Sequence, residues 1–587
     1  MAWGLVPLVA VLTLGLGALI APRATGFERL LTGAVSTLTV TVTATWLLAA
    51  LGVLSALALL AVLCCGAVTV GIAVRLRRAP WQLPWRMAIS WPTAPVLAVA
   101  AAAVALVVLS AYYVPVWQWD ALGYHLPFVN LVLQRGTLAD VPVDVPYLST
   151  YPHIVEWAFT AWRVLLPDDR LVELAHVPFG LVGACAIATI AHRFGARPDH
   201  ALAVGAAWLT LPAVFLQLPT NYTDAASAAL ALAAIAFVLS ADLTSTRVVM
   251  AGVAIGLFLG SKPQAPLGAA VLLVVLTALG WRAGRRPAVA VAWLMSLGLG
   301  SPSYVANIVR HGNPVWPVTV DFGPLHLPGT RSMASLLQAG ANAPRTHGNV
   351  VARVVESWTT VVSPVPVFDM RIGGLGLLFL IALPVAVVSA VRIRSVAVAL
   401  CAVATLSTPD PAVARYVLAF AGVTLALAAP ALRHLGRHMQ TVVLGALAAI
   451  AAWNLVLSYP GLTGEGPPLT AYPAMTPAQR QRAVGADGVP TPYLDAVARV
   501  RAGEVTVIDA AAELPYLAWP SDLRTGVRYL PVDADAATAE RIITAPEVRL
   551  LIVGDDTAGG VAARLHPELF TELFRCRSAA CGVYLRR

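Results

Sequence analysis

Charge is what this sequence has little of. Only 12% of the 587 residues are Asp, Glu, Lys or Arg, about half of the roughly 25% found in soluble domains. With 58% hydrophobic residues and a mean hydropathy of +0.76, that scarcity excludes an ordinary soluble protein and points to an integral membrane protein. Lysine is scarcer still: of 39 basic residues only Lys262 is a lysine, and the rest are arginine. With the abundance of alanine, this usage suggests a GC-rich bacterial genome. No P-loop, GxSxG, HExxH or CxxC motif occurs, so ATP-driven and metallohydrolase mechanisms lack motif support. Period-two alternation is missing from the apolar runs, which excludes an outer-membrane barrel and leaves helices as the spans. The formal charge of +9 comes from basic residues at the ends of apolar runs rather than in one patch, so nucleic acid is not an expected partner.

The apolar runs match the roughly 20 residues a helix needs to cross about 30 Å of hydrocarbon. Residues 2–21 lack a basic leading region and a small-x-small cleavage site, and are expected to remain as a helix with the N-terminus outside. Residues 30–74 hold two spans with a turn near Gly52. The strongest basic cluster between spans, RLRRAPWQLPWR at 75–86, is expected in the cytoplasm. Further spans are read at 93–114, 171–191, 201–218, 225–240, 248–260, 265–279, 288–306, 375–391, 396–406, 417–432 and 442–457. The sum is about fourteen, with both termini and two long loops, 115–170 and 307–373, outside.

The expected architecture is an all-α polytopic membrane bundle carrying a small extracytoplasmic α/β domain. Extra N-terminal helices and a cytoplasmic loop occupy 1–92, a transmembrane module 93–458, a Pro- and Gly-rich linker 459–478, and the α/β domain 479–587. In that domain VTVIDAA, GVRYLP and VRLLIVG read as buried strands, with helical pieces such as 495–501. Cys64, Cys65, Cys185 and Cys401 lie in apolar runs as small apolar residues. Cys576 and Cys581, in CRSAAC, would form a short-loop disulfide on an oxidising side and stay reduced in the cytoplasm.

Polar residues near the outer ends of spans fall into five stretches. In WQWDALGYHLPF, Asp120 closely follows a span, between Trp117 and Trp119 as an interfacial aromatic belt. There it is either a general base toward an acceptor hydroxyl or the cap of a helix starting at Ala121. His125 reads as a supporting or packing residue. In YPHIVEW, His153 and Glu156 share a helix face and either contact a phosphate and a sugar or form a solvated pair. In PTNYTD, Asp224 opens a span, where the helix dipole favours a carboxylate whatever its role. It is expected at the membrane level of Asp120, so the two acids would divide the duties of base and ligand. In GLFLGSKPQAPL, Lys262 sits between two short spans, either snorkelling to head groups or meeting an anionic ligand in a half-broken helix. In STPDPAVARYVLAF, Asp410, Arg415 and Tyr416 stand at the mouth of a span. An arginine about five residues into an apolar run is costly unless it pairs or binds an anion, and a guanidinium clamps phosphate with two bonds.

WDALGYHLP, YPHIVEW, NYTDAASAAL, GLFLGSKPQAPL, GNPVWP and ARY, in this order and on one expected face, resemble the GT-C glycosyltransferases over roughly 117–420. The likeness is to the bacterial branch related to protein O-mannosyltransferases and aminoarabinose transferases. It implies sugar transfer, with inversion, from a polyprenyl-phosphate-linked donor to a glycan, lipid or protein acceptor, at the outer face of the bacterial cytoplasmic (inner) membrane. By residue, it implies Asp120 as base, Asp224 as the second acid, and Lys262, Arg415 and His153 near the donor phosphate. His125, Tyr151, Glu156, Tyr222 and Tyr416 would line the substrate. The chain departs from that pattern where Ala121 follows Asp120, where Tyr151-Pro152-His153 stands in place of a Lys-Pro-Pro motif, and in three extra leading spans. A divalent cation, Mg or Mn, would suit an oxygen-ligand site and is left open.

Two other readings share the membrane setting. A transporter or flippase of lipid-linked sugars should carry charges near the midplane on repeated halves, and no clear repeat is visible. A polymerase or ligase outside GT-C would rest on Arg310, His311, Arg331, Arg345 and His347 of the second long loop. The C-terminal domain would bind the acceptor or a wall polymer, or cover the site; its Asp555 and Asp556 read as a turn.

Overall fold

Runs of apolar residues too long for a globular core become membrane spans, and the computed structural model bears the stamp of this rule along most of the chain. It describes residues 2–24, 26–79, 89–138, 146–240, 242–332, 349–361, 373–484, 491–512, 514–531, 533–575 and 581–587. Among these, eight helices are long and apolar enough to cross a membrane: Gly26–Ala50, Ala56–Leu76, Ala94–Tyr113, Val172–Arg193, Ala265–Arg282, Gly376–Ile393, Ala414–His434 and Arg437–Leu462. A ninth is the pair Arg286–Gly300 and Pro302–His311, bent by 62°, where Pro302 supplies no N–H to carry the helix on. Shorter apolar helices are Val6–Ile20, Asp224–Val238, Ser245–Leu259 and Val396–Leu406. The protein is a multi-pass membrane protein.

The expectation of about fourteen full spans is thus not met by length. One of them fails outright: the run at 201–218 forms a helix only over Pro198–Trp208 and resumes as a single turn at Pro212–Phe215. Leu211, with ψ of 131°, is extended because the following proline ring disfavours a helical predecessor. The turn expected near Gly52 is present, with Gly52 at φ +71° between Gly26–Ala50 and Ala56–Leu76.

Helix length decides where the site sits. Asp224–Val238 is 15 residues long and buried on every side, so it extends about 22 Å, less than the roughly 30 Å of hydrocarbon. Its first residue, Asp224, is therefore held inside the bundle. Next to it, Ser245–Leu259 packs on Arg286–Gly300 through small residues. Gly252 faces Ala292, Gly256 faces Met295 and Ser296, and Gly260 faces Gly300, while the Ser296 hydroxyl donates to the Gly252 carbonyl at 2.8 Å. Backbones approach this closely only where side chains are absent.

The second long loop holds a short hairpin, β1 (Val320–Phe322) and β2 (Leu325–Leu327). The C-terminal domain is a five-stranded sheet of β3 (Val505–Ile508), β4 (Gly526–Tyr529), β5 (Val548–Gly554), β6 (Phe570–Arg575) and β7 (Cys581–Arg586), in the order β4-β3-β5-β7-β6. β3 is parallel to both β4 and β5, and β7 runs antiparallel to β5 and β6. The three strands expected from sequence are β3, β4 and β5; the β6–β7 hairpin was not anticipated. The helical piece expected at 495–501 is Thr491–Ala498. Cys581 is disulfide-bonded, and Cys576 lies outside the described residues. The stretch read as a linker is packed rather than free: Leu462, Leu469 and Tyr472 are buried, and Gly464 lies against the Trp117 ring.

Candidate functional site

Residues from four distant segments meet at one place. Asp120 precedes a five-residue π-helical turn, Ala121–His125, and has helical φ and ψ of −64° and −36° with no capping hydrogen bond from its side chain. Its carboxylate is therefore not spent on the helix, which removes the capping interpretation. Instead Oδ2 accepts from Arg415 Nη1 at 3.2 Å, and the Asp120 N–H donates to the Tyr222 hydroxyl at 3.1 Å. The same Nη1 lies 3.6 Å from Asp224 Oδ2. Asp224 Oδ2 also accepts from Gln217 Nε2 at 3.4 Å, while Oδ1 forms an ion pair with Lys262.

The loop bearing Lys262 is fixed by its neighbour. The Ser261 hydroxyl donates to Ser227 at 2.8 Å, one turn along the helix that Asp224 begins, so the lysine emerges beside the carboxylate. Aromatic faces complete the setting. Lys262 Nζ stands 4.9 Å from the Tyr416 ring centre, and the Arg415 guanidinium 5.3 Å from Tyr222 and 5.2 Å from Tyr416, distances at which a cation is attracted to a ring face. Two acids against two cations balance, which is what lets four charges share a poorly solvated place. A partly open cleft of about 470 Å³ adjoins them, lined by Asp224, Ser227, Lys262, Thr405, Arg415 and Tyr416 among others. Asp120 adjoins this cleft through Arg415.

A second cluster lies behind. His125 Nδ1 donates to Glu156 Oε1 at 2.6 Å, and His153 Nδ1 is 3.8 Å from the same oxygen. Burial pushes the Glu156 carboxyl up, but the two imidazoles prevail and hold it down at about 2. The structure does not bring His153 to the cations: its Nε2 donates to the Leu148 carbonyl at 3.1 Å and its ring stacks on Phe128 at 4.0 Å. Tyr151 stands in a group with Tyr124 and Tyr147, at centroid distances of 6.3 and 5.2 Å. Burial, reinforced by nearby Asp120, raises the hydroxyls of Tyr124 and Tyr151 above their ordinary values, so both stay neutral donors.

Other expected residues have structural posts. Asp410 accepts from Arg353 at 2.7 Å and ties the helix Val350–Thr359 to the mouth of the span. Trp117 is buried and packs against Gly464, so of the expected aromatic belt only Trp119 is exposed. His311 stacks on Trp316, while Arg345 and His347 lie outside the described residues. Gln217, Tyr124, Tyr147 and Arg331 were not singled out for this site. Tyr124, four residues after Asp120, was the one with a readable signal, since that spacing places both on one helical side.

The donor set does not resemble a metal's ligand shell. Asp120 and Asp224 already face an arginine and a lysine, and among the described residues no group of three His, Cys, Asp or Glu side chains has the arrangement to hold a metal ion.

No family model and no curated protein matches the sequence. Solved structures do. ArnT from Cupriavidus metallidurans bound to undecaprenyl phosphate superposes with a TM-score of 0.50 at 15% identity, over 84% of this chain and 98% of its own; its apo state gives the same values. The oligosaccharyltransferase of Archaeoglobus fulgidus in the apo form matches at 0.42 and 14% identity, over 85% of this chain and 74% of its own. At this identity the likeness is one of fold: this chain shares the fold of ArnT.

Proposed function

We propose that the protein is a membrane glycosyltransferase that moves a sugar from a polyprenyl-phosphate carrier to an acceptor hydroxyl, with inversion. The observation that carries this reading is the convergence of Asp224, Lys262 and Arg415 in the lining of one cleft, with Asp120 paired to Arg415 beside it. The ArnT structure that shares the fold was solved bound to undecaprenyl phosphate, which supports the same class of carrier here.

In this reading the acceptor hydroxyl attacks the anomeric carbon from the face opposite the phosphate, and its proton passes to Asp120. The bond from that carbon to the phosphate oxygen breaks, and the donor, a phosphodiester with one negative charge, leaves as a polyprenyl phosphate monoester with two. Arg415 and Lys262 gain interaction energy as that charge develops, and this differential gain is what accelerates the step. Buried Asp224, itself bonded by Gln217, holds the two cations in place. These cations supply at the phosphate the charge that Mg or Mn would otherwise bring.

The same reading puts the site, both loops and the C-terminal domain on the outer side of a bacterial cytoplasmic membrane, and counts the shorter apolar helices as spans. The disulfide of Cys581 supports an oxidising side for that domain. Asp120→Asn tests the assignment, with the protein in nanodiscs supplied with labelled polyprenyl-phosphate sugars. Transfer should fall by at least about a hundredfold, while thermal stability and undecaprenyl phosphate binding stay as in the wild type. Transfer at the wild-type rate would refute Asp120 as base.

A further inference from the structure

The contacts at the site continue past Asp120. One helical turn on, the Tyr124 ring stacks on Tyr147 with centroids 5.2 Å apart and meets Tyr151 edge-on at 6.3 Å. Arg331, from the second long loop, lies 5.5 Å from the centre of the Tyr147 ring and donates from Nη1 to its hydroxyl at 2.7 Å. Its backbone is pinned: the Arg331 N–H donates to Pro317 O at 3.0 Å and its carbonyl accepts from Thr319 N at 2.8 Å. The order along the site is therefore Lys262, Asp224, Arg415 and Asp120 in contact, then, one turn further along the chain, Tyr124 in contact with Tyr147 and Tyr147 with Arg331, with a cation at either end.

The two ends differ in charge balance. Lys262 and Arg415 each face a carboxylate. Among the described residues no Asp or Glu lies within ion-pair distance of Arg331, whose side-chain partner is a neutral phenol. The half-buried Arg331 guanidinium lies over an aromatic ring, a setting where water screens its charge poorly. Such a group is costly unless an anion completes it, and it grips carboxylate or phosphate through two parallel hydrogen bonds.

We infer that the tyrosine compartment is the acceptor subsite, and that it takes an acceptor bearing a carboxylate or phosphate, which Arg331 holds. The inference rests on the glycosyltransferase reading, in which the base must lie between the departing phosphate and the incoming hydroxyl. Asp120 occupies that middle position, with the balanced cations toward the donor and Arg331 toward the acceptor. Tyr124, Tyr147 and Tyr151 offer flat apolar faces and polar tips, suited to a sugar ring.

Binding of simple probes to the wild-type protein in nanodiscs tests this, with undecaprenyl phosphate present at saturation to fill the donor side. The probes are methyl glucuronide for carboxylate, glucose 6-phosphate for phosphate and methyl glucoside as the neutral control. At least one charged probe should bind tenfold or more tightly than the neutral one, and the ratio between the charged two identifies the preferred anion. Arg331→Gln should erase the preference and Arg331→Lys keep part of it, with undecaprenyl phosphate binding unchanged in both. Equal affinity for charged and neutral probes, no binding of either charged probe at millimolar concentration, or a charge preference that appears only when undecaprenyl phosphate is omitted would each overturn the inference. The wild-type comparison needs no variant to fold. Since these readouts are binding and not turnover, their failure leaves the Asp120→Asn test of the transferase reading standing.

Discussion

Arg415 faces two acids and two rings at once, and no other cation can copy that. Its Nη1 serves Asp120 at 3.2 Å and Asp224 at 3.6 Å while the guanidinium plane sits near Tyr222 and Tyr416. A lysine carries one compact, strongly hydrated charge and has no plane to lay between rings. Arg415→Lys should therefore lower kcat/KM for the donor by at least about a hundredfold, roughly 2.7 kcal/mol of transition-state stabilisation. Initial rates in nanodiscs decide it, and a fall of threefold or less would show that charge alone suffices. That Arg415 needs a partner was legible, because an arginine at the mouth of an apolar run is costly alone. Which partner was not, since Asp120 lies 295 positions away. The Glu156 pairing shows the same limit. Helix spacing pairs Glu156 with His153, but the short bond comes from His125, 31 positions off, and no local periodicity encodes a contact of that separation.

At the level of helices, the position of Lys262 depends on how closely Ser245–Leu259 lies against Arg286–Gly300. A Cβ on Gly256 would come within 2.9 Å of the Met295 carbonyl oxygen and the Ser296 Cα, both backbone atoms that cannot swing aside. Gly256→Val should wedge the pair apart, cost about 1–3 kcal/mol of stability, and raise the donor KM severalfold by drawing Lys262 away from Asp224. Gly298→Ala is the control, since nothing stands within 4 Å of a Cβ there. Thermal melts and donor KM measured side by side test this; equal behaviour of the two variants would remove the glycine stripe from the account. The stripe was present in the sequence as small residues every fourth position, at 252, 256 and 260 and again at 292, 296 and 300. Hydropathy summed over a window registers only that both runs are apolar. The break at Leu211, by contrast, was readable from the proline after it, yet a window average over 201–218 conceals it.

Across the whole molecule, the C-terminal domain and the packed segment before it hold the Asp120 segment from two sides. Gly464 lies against Trp117, and the turn Pro515–Ala518 packs on Ala121–His125. Composition marks where this soluble domain begins, but it says nothing of where the domain rests, because docking here depends on a few polar side chains. Gln134 is the main one. Its Nε2 donates to the Val527 carbonyl at 3.0 Å, and its Oε1 accepts from Val527 N and Trp519 Nε1, both at 2.9 Å. Arg163 donating to the Ser521 carbonyl at 2.7 Å and Tyr516 to Asp169 at 3.3 Å secure the same face. Gln134→Ala removes three hydrogen bonds and leaves the buried Val527 N–H and the Trp519 indole without partners, a loss of about 1–3 kcal/mol for each group left unsatisfied. The domain should then detach part of the time and expose 459–478 to protease. Because the loosened contact borders Asp120 and not Lys262, kcat should fall severalfold while the donor KM stays near the wild-type value. Limited proteolysis with initial rates on the same preparation separates the outcomes. Faster cleavage with unchanged kcat would mean that the domain merely rests on the catalytic loop, whereas faster cleavage with a lowered kcat means that it holds the base in position.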